Sequence, residues 1–350
     1  MSAVSDAQQF GSDGADGEVA RPAPLTRIFG WSMLALMFAY IVNIVFSVWI
    51  ELPGIAALSA DGDAEVSMAA PIFQLAVYIL GIVFSCLFVL KTPNRTLRDD
   101  SAVMVSVTNY IVAGAFWSVV LIGLVDMAIS FLRVEGLLAA VVGEDLTTEI
   151  GRSRFRGPYI HIPLIVLGYL IPLSAQLFGF PKFGKTLGFQ WLALLVVIAE
   201  LFIVLSRFVF SYEQAFQGDL VRFWYGSLFL FASAYTLFED GHVRVDVLYS
   251  GFTVRRKGLV NAVGSLVLGL SLCWTILIFA MWDKSSIVNS ALLTFEVSQS
   301  GFGMYVKYWM AAFLAIFAIS MAIQFISYFL ESVADRRGDP GHREPPVMGH

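Results

Sequence analysis

Two carboxylates stand alone in stretches otherwise fit for hydrocarbon. Asp126 lies in LIGLVDMAIS and Glu200 lies near the middle of LALLVVIAELFIVL. An ionisable group at that depth is costly. It either forms part of a proton or ion site, or is a single buried carboxyl, protonated or hydrogen-bonded to a neighbouring helix. No second carboxylate or cation shares either run, which favours the structural use for both. Arg207 follows Glu200 by seven residues, on the same helical face but two turns away, a spacing that suits snorkelling to the membrane interface. Two polar islands follow. The connector Ser211–Asp219 carries Ser211, which can cap a turn, and Asp219, which favours the start of the next helix. Beyond it, His242, Arg244 and Asp246 alternate with Val243 and Val245 just past a run of apolar residues. That pattern reads as a boundary ion network, turned by Gly241, in which Arg244 and Asp246 pair with each other or with Arg255, Arg256 and Lys257.

Other chemistries lack their residues. The four histidines include two near the chain end, His342 and His350, and a membrane haem site needs pairs facing each other within helices. Cys86 and Cys273 both sit inside apolar runs, which excludes a disulfide framework and a cysteine metal site. No phosphate-binding loop, metal-ligand cluster or nucleophile–base arrangement is present. The expectation is a protein that is not an enzyme and carries neither cofactor nor metal.

The elements that must hold these residues are membrane helices. The chain has 350 residues, 58% hydrophobic and 14% charged, with a net charge of −5 and a mean hydropathy of +0.75. This excludes a soluble enzyme and a disordered chain, and the absence of a basic patch excludes a nucleic-acid partner. Eight apolar runs are long enough to cross about 30 Å of hydrocarbon. They are Ile28–Ile50, Ala70–Leu90, Val103–Leu132, Pro158–Phe180, Leu187–Phe210, Leu220–Phe238, Gly258–Met281 and Gly303–Leu330. They lack period-2 alternation, so the predicted fold is an all-α polytopic membrane protein with about eight transmembrane helices. Trp31, Trp49, Trp191, Trp224, Trp282 and Trp309 fall towards span ends, as an interfacial belt requires.

Basic residues are more frequent in the segments that would share a side with the N-terminus, which places both termini in the cytoplasm. Residues 1–27 and 332–350 read as solvated tails, and residues 1–27 lack the apolar core of a secretory leader. The PKFGK link, Pro181–Lys185, divides the remainder into a four-helix region at 28–186 and another at 187–331.

The second region carries a resemblance. An Arg207-Phe208-Val209-Phe210 span end, the connector Phe216-Gln217-Gly218-Asp219-Leu220 and the segment His242-Val243-Arg244-Val245-Asp246 occur in that order, each at a span boundary. This resembles the small membrane (DctQ-type) subunit of the tripartite ATP-independent periplasmic (TRAP) transporters. The family connector has Trp and two glutamates where this chain has Phe216, Gly218 and Asp219, so only Asp219 keeps a charge. Farther on, Ser290, Glu296 and Ser298, then Gly301 and Lys307, are similar to the pattern of one subgroup of that family. The resemblance covers residues 187–331 and leaves the first four helices without a motif.

The resemblance implies a passive inner-membrane scaffold, in contact with lipid and packed beside a large (DctM-type) membrane subunit. A periplasmic substrate-binding protein delivers the solute, typically an organic acid, and sodium drives its uptake. Gly226, Ser227, Ala232, Ala234, Gly264, Ser265 and Gly269 allow close helix approach, to that partner or within the chain. The alternative is an eight-helix secondary transporter acting alone, which requires Asp126 and Glu200 to face one water-filled cavity.

Overall fold

The computed structural model describes residues 22–58, 68–178, 189–238, 249, 251–297 and 303–342. Helix is the only regular structure among the described residues. The helices are α1 (Pro24–Ile44), which continues as a π-helical turn over Val45–Trp49, α2 (Ala69–Lys91), α3 (Leu97–Val134) and the short α4 (Leu138–Val142), α5 (Glu144–Ile150) and α6 (Ser153–Arg156). A π-helical turn over Gly157–His161 leads into α7 (Ile162–Leu177). Then come α8 (Phe189–Phe210), α9 (Ala215–Phe238), α10 (Val254–Gly264), a π-helical stretch over Ser265–Leu270, α11 (Ser271–Met281), α12 (Ile287–Thr294) and α13 (Lys307–Arg337).

Local sequence sets several of these limits. Thr96 and Asp99 cap α3 reciprocally, each side chain accepting the other's backbone N–H at 3.1 and 2.8 Å, so the helix opens six residues before the apolar run at Val103. α1 opens with Pro24 in its first turn, so Arg27 belongs to a helix rather than to a tail. α13 continues through Arg337, past the predicted limit at residue 331, and stops at Gly338, whose φ of 76° suits glycine.

Among the described residues, seven segments are long and apolar enough to cross a membrane: Pro24–Trp49, Ala69–Lys91, Leu97–Val134, Ser153–Leu177, Gln190–Phe210, Val254–Met281 and Lys307–Arg337. The remaining predicted run is α9, 24 residues long. Arg222, Trp224, Tyr225, Gly226 and Ser227 make it more polar than the others. Both ends of the described chain meet at one end of the bundle. Arg337 donates to the Pro22 carbonyl at 3.3 Å and Arg98 donates to the Pro340 carbonyl at 2.8 Å. A chain that returns to its starting side crosses an even number of times, an arrangement that requires α9 to cross in addition to these seven.

α3 and α13 form the centre. Half of the most apolar window of α3 (50%) and more of that of α13 (56%) is buried within the chain, against 11% for α8. α3 packs on α7, α9 and α13, while α13 also meets α1, α10, α11 and α12. Phe223 and Phe231 of α9 close on Phe313 of α13, each at a centroid distance of 5.1 Å. α3 and α7 touch backbone to backbone at Gly168, where a Cβ would lie 2.6 Å from the Ser118 nitrogen. Several small residues are spent inside the chain: Ser227, Ala234 and Ser265 are buried, and a Cβ at Gly269 would strike the Phe325 ring. The predicted boundary between residues 186 and 187 lies outside the described residues. α3 itself joins the two predicted regions, because α9 and α13 both pack on it.

Candidate functional site

Asp126 is fully buried, and it is not alone. Arg156, from α6, donates from Nη1 to Asp126 Oδ1 at 2.8 Å and from Nε to the Ile150 carbonyl at 2.8 Å. His161, at the end of the π-helical turn, places Nε2 3.2 Å from the same Asp126 oxygen. All three side chains have zero exposure. The backbone N–H of Tyr305 donates to Asp126 Oδ2 at 2.7 Å. The Arg156 guanidinium also lies over the Tyr305 ring, 4.2 Å from its centroid.

The histidine tautomer follows from its partners. Trp309 Nε1 can only donate, and it lies 2.9 Å from His161 Nδ1. Nδ1 therefore accepts and Nε2 carries the proton given to Asp126. Tyr308 Oη lies 2.6 Å from the same Nδ1. The set thus balances one carboxylate against one guanidinium, with neutral imidazole, phenol and indole closing it. This is the structural use of Asp126: a buried charge is held by paired donors.

The π-helical turn explains how Arg156, at the end of α6, and His161, at the entry to α7, both reach one carboxylate. A wider turn shifts the side-chain register, and π-helical turns recur where a side chain must be aimed. Gly157 opens that turn because Phe295 and Tyr308 press against it: a Cβ there would lie 2.5 Å from Phe295 Cε1. Phe295 itself ends α12 in the left-handed region, at φ 52°.

A second carboxylate holds the adjacent residue of the same loop. Asp219 Oδ2 accepts the Met304 backbone N–H at 3.1 Å, and its Oδ1 lies 3.6 Å from Arg222. Asp219 was expected to support the start of its own helix, but α9 opens at Ala215 and Asp219 faces across to the loop before α13. Ser211 does not cap either. It adopts φ 51°, and the Gln214 N–H is bound by Gln217 Oε1 at 3.1 Å. The connector stands beside the end of α3, where Tyr212 donates to Glu135 at 2.7 Å. Desolvation and the Glu135 carboxylate push the Tyr212 phenol up to about 12. An open cleft of about 380 Å³ runs past Ile203, Glu213, Gln214, Gln217, Asp219 and Arg222.

The structure brings some of the predicted residues together and keeps others apart. Glu296 and Lys307 form an exposed ion pair, and the Glu296 carbonyl accepts the Tyr308 N–H at 3.1 Å. Arg207 pairs with Glu213 at 3.3 Å, exposed at the end of α8. Glu200 lies exposed on the outside of α8. Asp126 is sealed inside, so the two lone carboxylates do not share a cavity. His242, Arg244, Asp246 and Ser298 lie outside the described residues.

Residues 194–335 match the DctQ component of the tripartite ATP-independent periplasmic transporters. The chain carries a DctQ region. No curated protein and no solved structure matches the chain. The DctQ region thus takes in α9, α10, α11 and α12, α8 from Leu194 onward and α13 through Asp335. Asp219, Glu296 and Lys307 lie in it, and all three converge on the loop before α13. Asp126, Arg156 and His161 lie before it and reach that same loop from the other side.

Sequence reasoning found Asp126 without its partners. Arg156 reads in sequence as one more basic loop residue and His161 as a lone histidine opening a span. The available signal was the mismatch itself: a lone mid-span carboxylate needs a cation, and the Arg152–Arg156 stretch stands in the next connection. Trp224 and Trp309 are not belt residues. Trp224 is buried against α3, and Trp309 serves the His161 site.

Proposed function

We propose that this chain is the small permease subunit of a TRAP transporter, a fixed scaffold for a large DctM-type membrane subunit that moves the solute. In this reading a periplasmic binding protein delivers an organic acid and sodium drives its uptake. The chain lies in the bacterial inner membrane with both termini in the cytoplasm, and it catalyses no reaction. Arg207, Asp219, His242, Arg244, Asp246, Glu296, Ser298 and Lys307 then act as structural residues of the small subunit, and α1–α7 extend the scaffold.

The match of residues 194–335 to the DctQ component carries the reading. The use of intramembrane charge supports it. Asp126, Arg156 and His161 bind one another in a fully buried contact between helices, and Asp219 holds a backbone N–H. A transport route needs polar groups facing water near the midplane. The stand-alone transporter needs Asp126 and Glu200 on one cavity, and they lie on the inside and the outside of the bundle.

The test is reconstitution into proteoliposomes under an inward sodium gradient, with an organic-acid panel and the cognate binding protein. The chain alone gives no uptake, and the chain with its large subunit gives sodium-dependent uptake. Uptake by the chain alone overturns the proposal.

A further inference from the structure

We infer that the Glu200 flank of α8 is a docking surface for a transmembrane helix of a second membrane protein, one presenting a cationic or amide donor at mid-membrane depth. This rests on the reading of the chain as a small subunit that assembles with a larger one.

α8 stands at the edge of the bundle, packed on α9. Its inward side is marked by Leu192 and Ser206, both buried, while Val197, Leu201 and Val204 are exposed. Glu200 is exposed on the same outward surface. It lies at the middle of Phe189–Phe210, about 16 Å along the axis from either end at 1.5 Å per residue. Among the described residues it makes no hydrogen bond or ion pair. Arg207 is about 10 Å farther along the axis and is engaged with Glu213.

This sets Glu200 apart from the charges inside the bundle. Asp126 and Asp100 are both fully buried and both paired with arginine. Among these three acids of the described residues, Glu200 faces outward, where acyl chains offer no donor and headgroups are two turns or more away. A carboxyl at that depth requires a polar partner, and interhelical polar contacts hold membrane helices together. Charge complementarity selects the occupant. One helical turn to either side of Glu200, the same flank carries Val196, Val197, Ile203 and Val204, which offer no donor. A second copy of this chain would set carboxylate against carboxylate. A different helix, carrying Lys, Arg, Asn or Gln, supplies what this flank lacks.

The test uses the full chain co-expressed with the large membrane subunit of its transporter. A benzophenone amino acid is placed at Val197 or Val204, and at Leu268 or Phe279 as exposed controls on the Val254–Met281 segment. Illumination in native membranes gives adducts with the large subunit from the first pair of positions and not from the second. Glu200→Leu lowers the co-purified large subunit by about three- to tenfold, the range of one interhelical polar contact, with the melting temperature of the purified chain unchanged. Adducts only between copies of this chain, or only with lipid, overturn the inference. So do adducts with the large subunit solely from the control positions, and in that case the small-subunit reading stands. A large subunit that never accompanies the wild-type chain overturns both.

Discussion

The two ends of the α3–α13 contact are built from similar residues in different surroundings. At the end near Asp126, the carboxylate, Arg156 and His161 have zero exposure and lie among Tyr305, Tyr308 and Trp309. At the other end, Arg98 of α3 binds Glu331 and Asp335 of α13, and all three remain partly accessible. Beside it buried Asp100 pairs with buried Arg27 at 2.6 Å, but also with Arg95 at 3.0 Å, whose side chain is about one third exposed. Screening weakens the Arg98 contacts, while the Asp126 set gains full Coulombic strength at the cost of full desolvation. The Arg98 end is tolerant of substitution; the Asp126 end must be complete or it becomes a liability.

Asp126→Ala is expected to show the largest effect. It leaves the Arg156 guanidinium buried and uncompensated and strips the acceptor from the Tyr305 N–H. A loss of about 3–5 kcal/mol follows for a broken buried pair, read as a fall in detergent-solubilised melting temperature and monodisperse yield. Gly157→Ala comes next. The added methyl meets Phe295 and Tyr308, and overpacking costs about 1–3 kcal/mol. Arg98→Ala should cost about 1 kcal/mol, because its partners are part-exposed and retain water. If Arg98→Ala equals Asp126→Ala, burial is not what separates the two ends.

Two exposed pairs calibrate the bottom of the scale. Lys307→Ala, which removes the Glu296 ion pair, should change stability by less than about 1 kcal/mol. Glu51 accepts from Lys284 at 2.6 Å, and that ammonium holds the Glu51 carboxyl below its ordinary range. A lowered folded-state value means the contribution is present above the ordinary glutamate range and is lost as pH falls through the lowered value. Melting curves of the wild type and Glu51→Gln should therefore differ slightly at neutral pH and converge in acid. Divergence on acidification contradicts this.

Much of this was legible in the sequence, and the part that was not has a physical cause. Run length and composition announced the spans, because lipid demands long apolar helices. The boundary motifs announced the DctQ region, and Asp219 and Lys307 stand out as charges at span ends. Arg156 and His161 could not be tied to Asp126, because the pairing is made across space by a π-helical turn that has no sequence period of its own. Arg27 reads as the last residue of a polar tail, yet Asp100 draws it into α1. Glu200 reads like Asp126 in sequence: each is one acid in an apolar run. Only the packing separates an acid sealed inside the bundle from one on its rim.

The central claim is that the helices before the DctQ region are part of one body with it, joined through Asp126, Arg156 and His161 to the loop before α13. It is tested by inserting a specific protease site into the Pro181–Lys185 link of the full chain and cleaving the purified protein in mild detergent. The account predicts that the two fragments stay together at one-to-one ratio through size-exclusion chromatography, and that Asp126→Ala lets them part. Fragments that separate in the wild type, each monodisperse and with the DctQ fragment melting at the temperature of the intact chain, would contradict it.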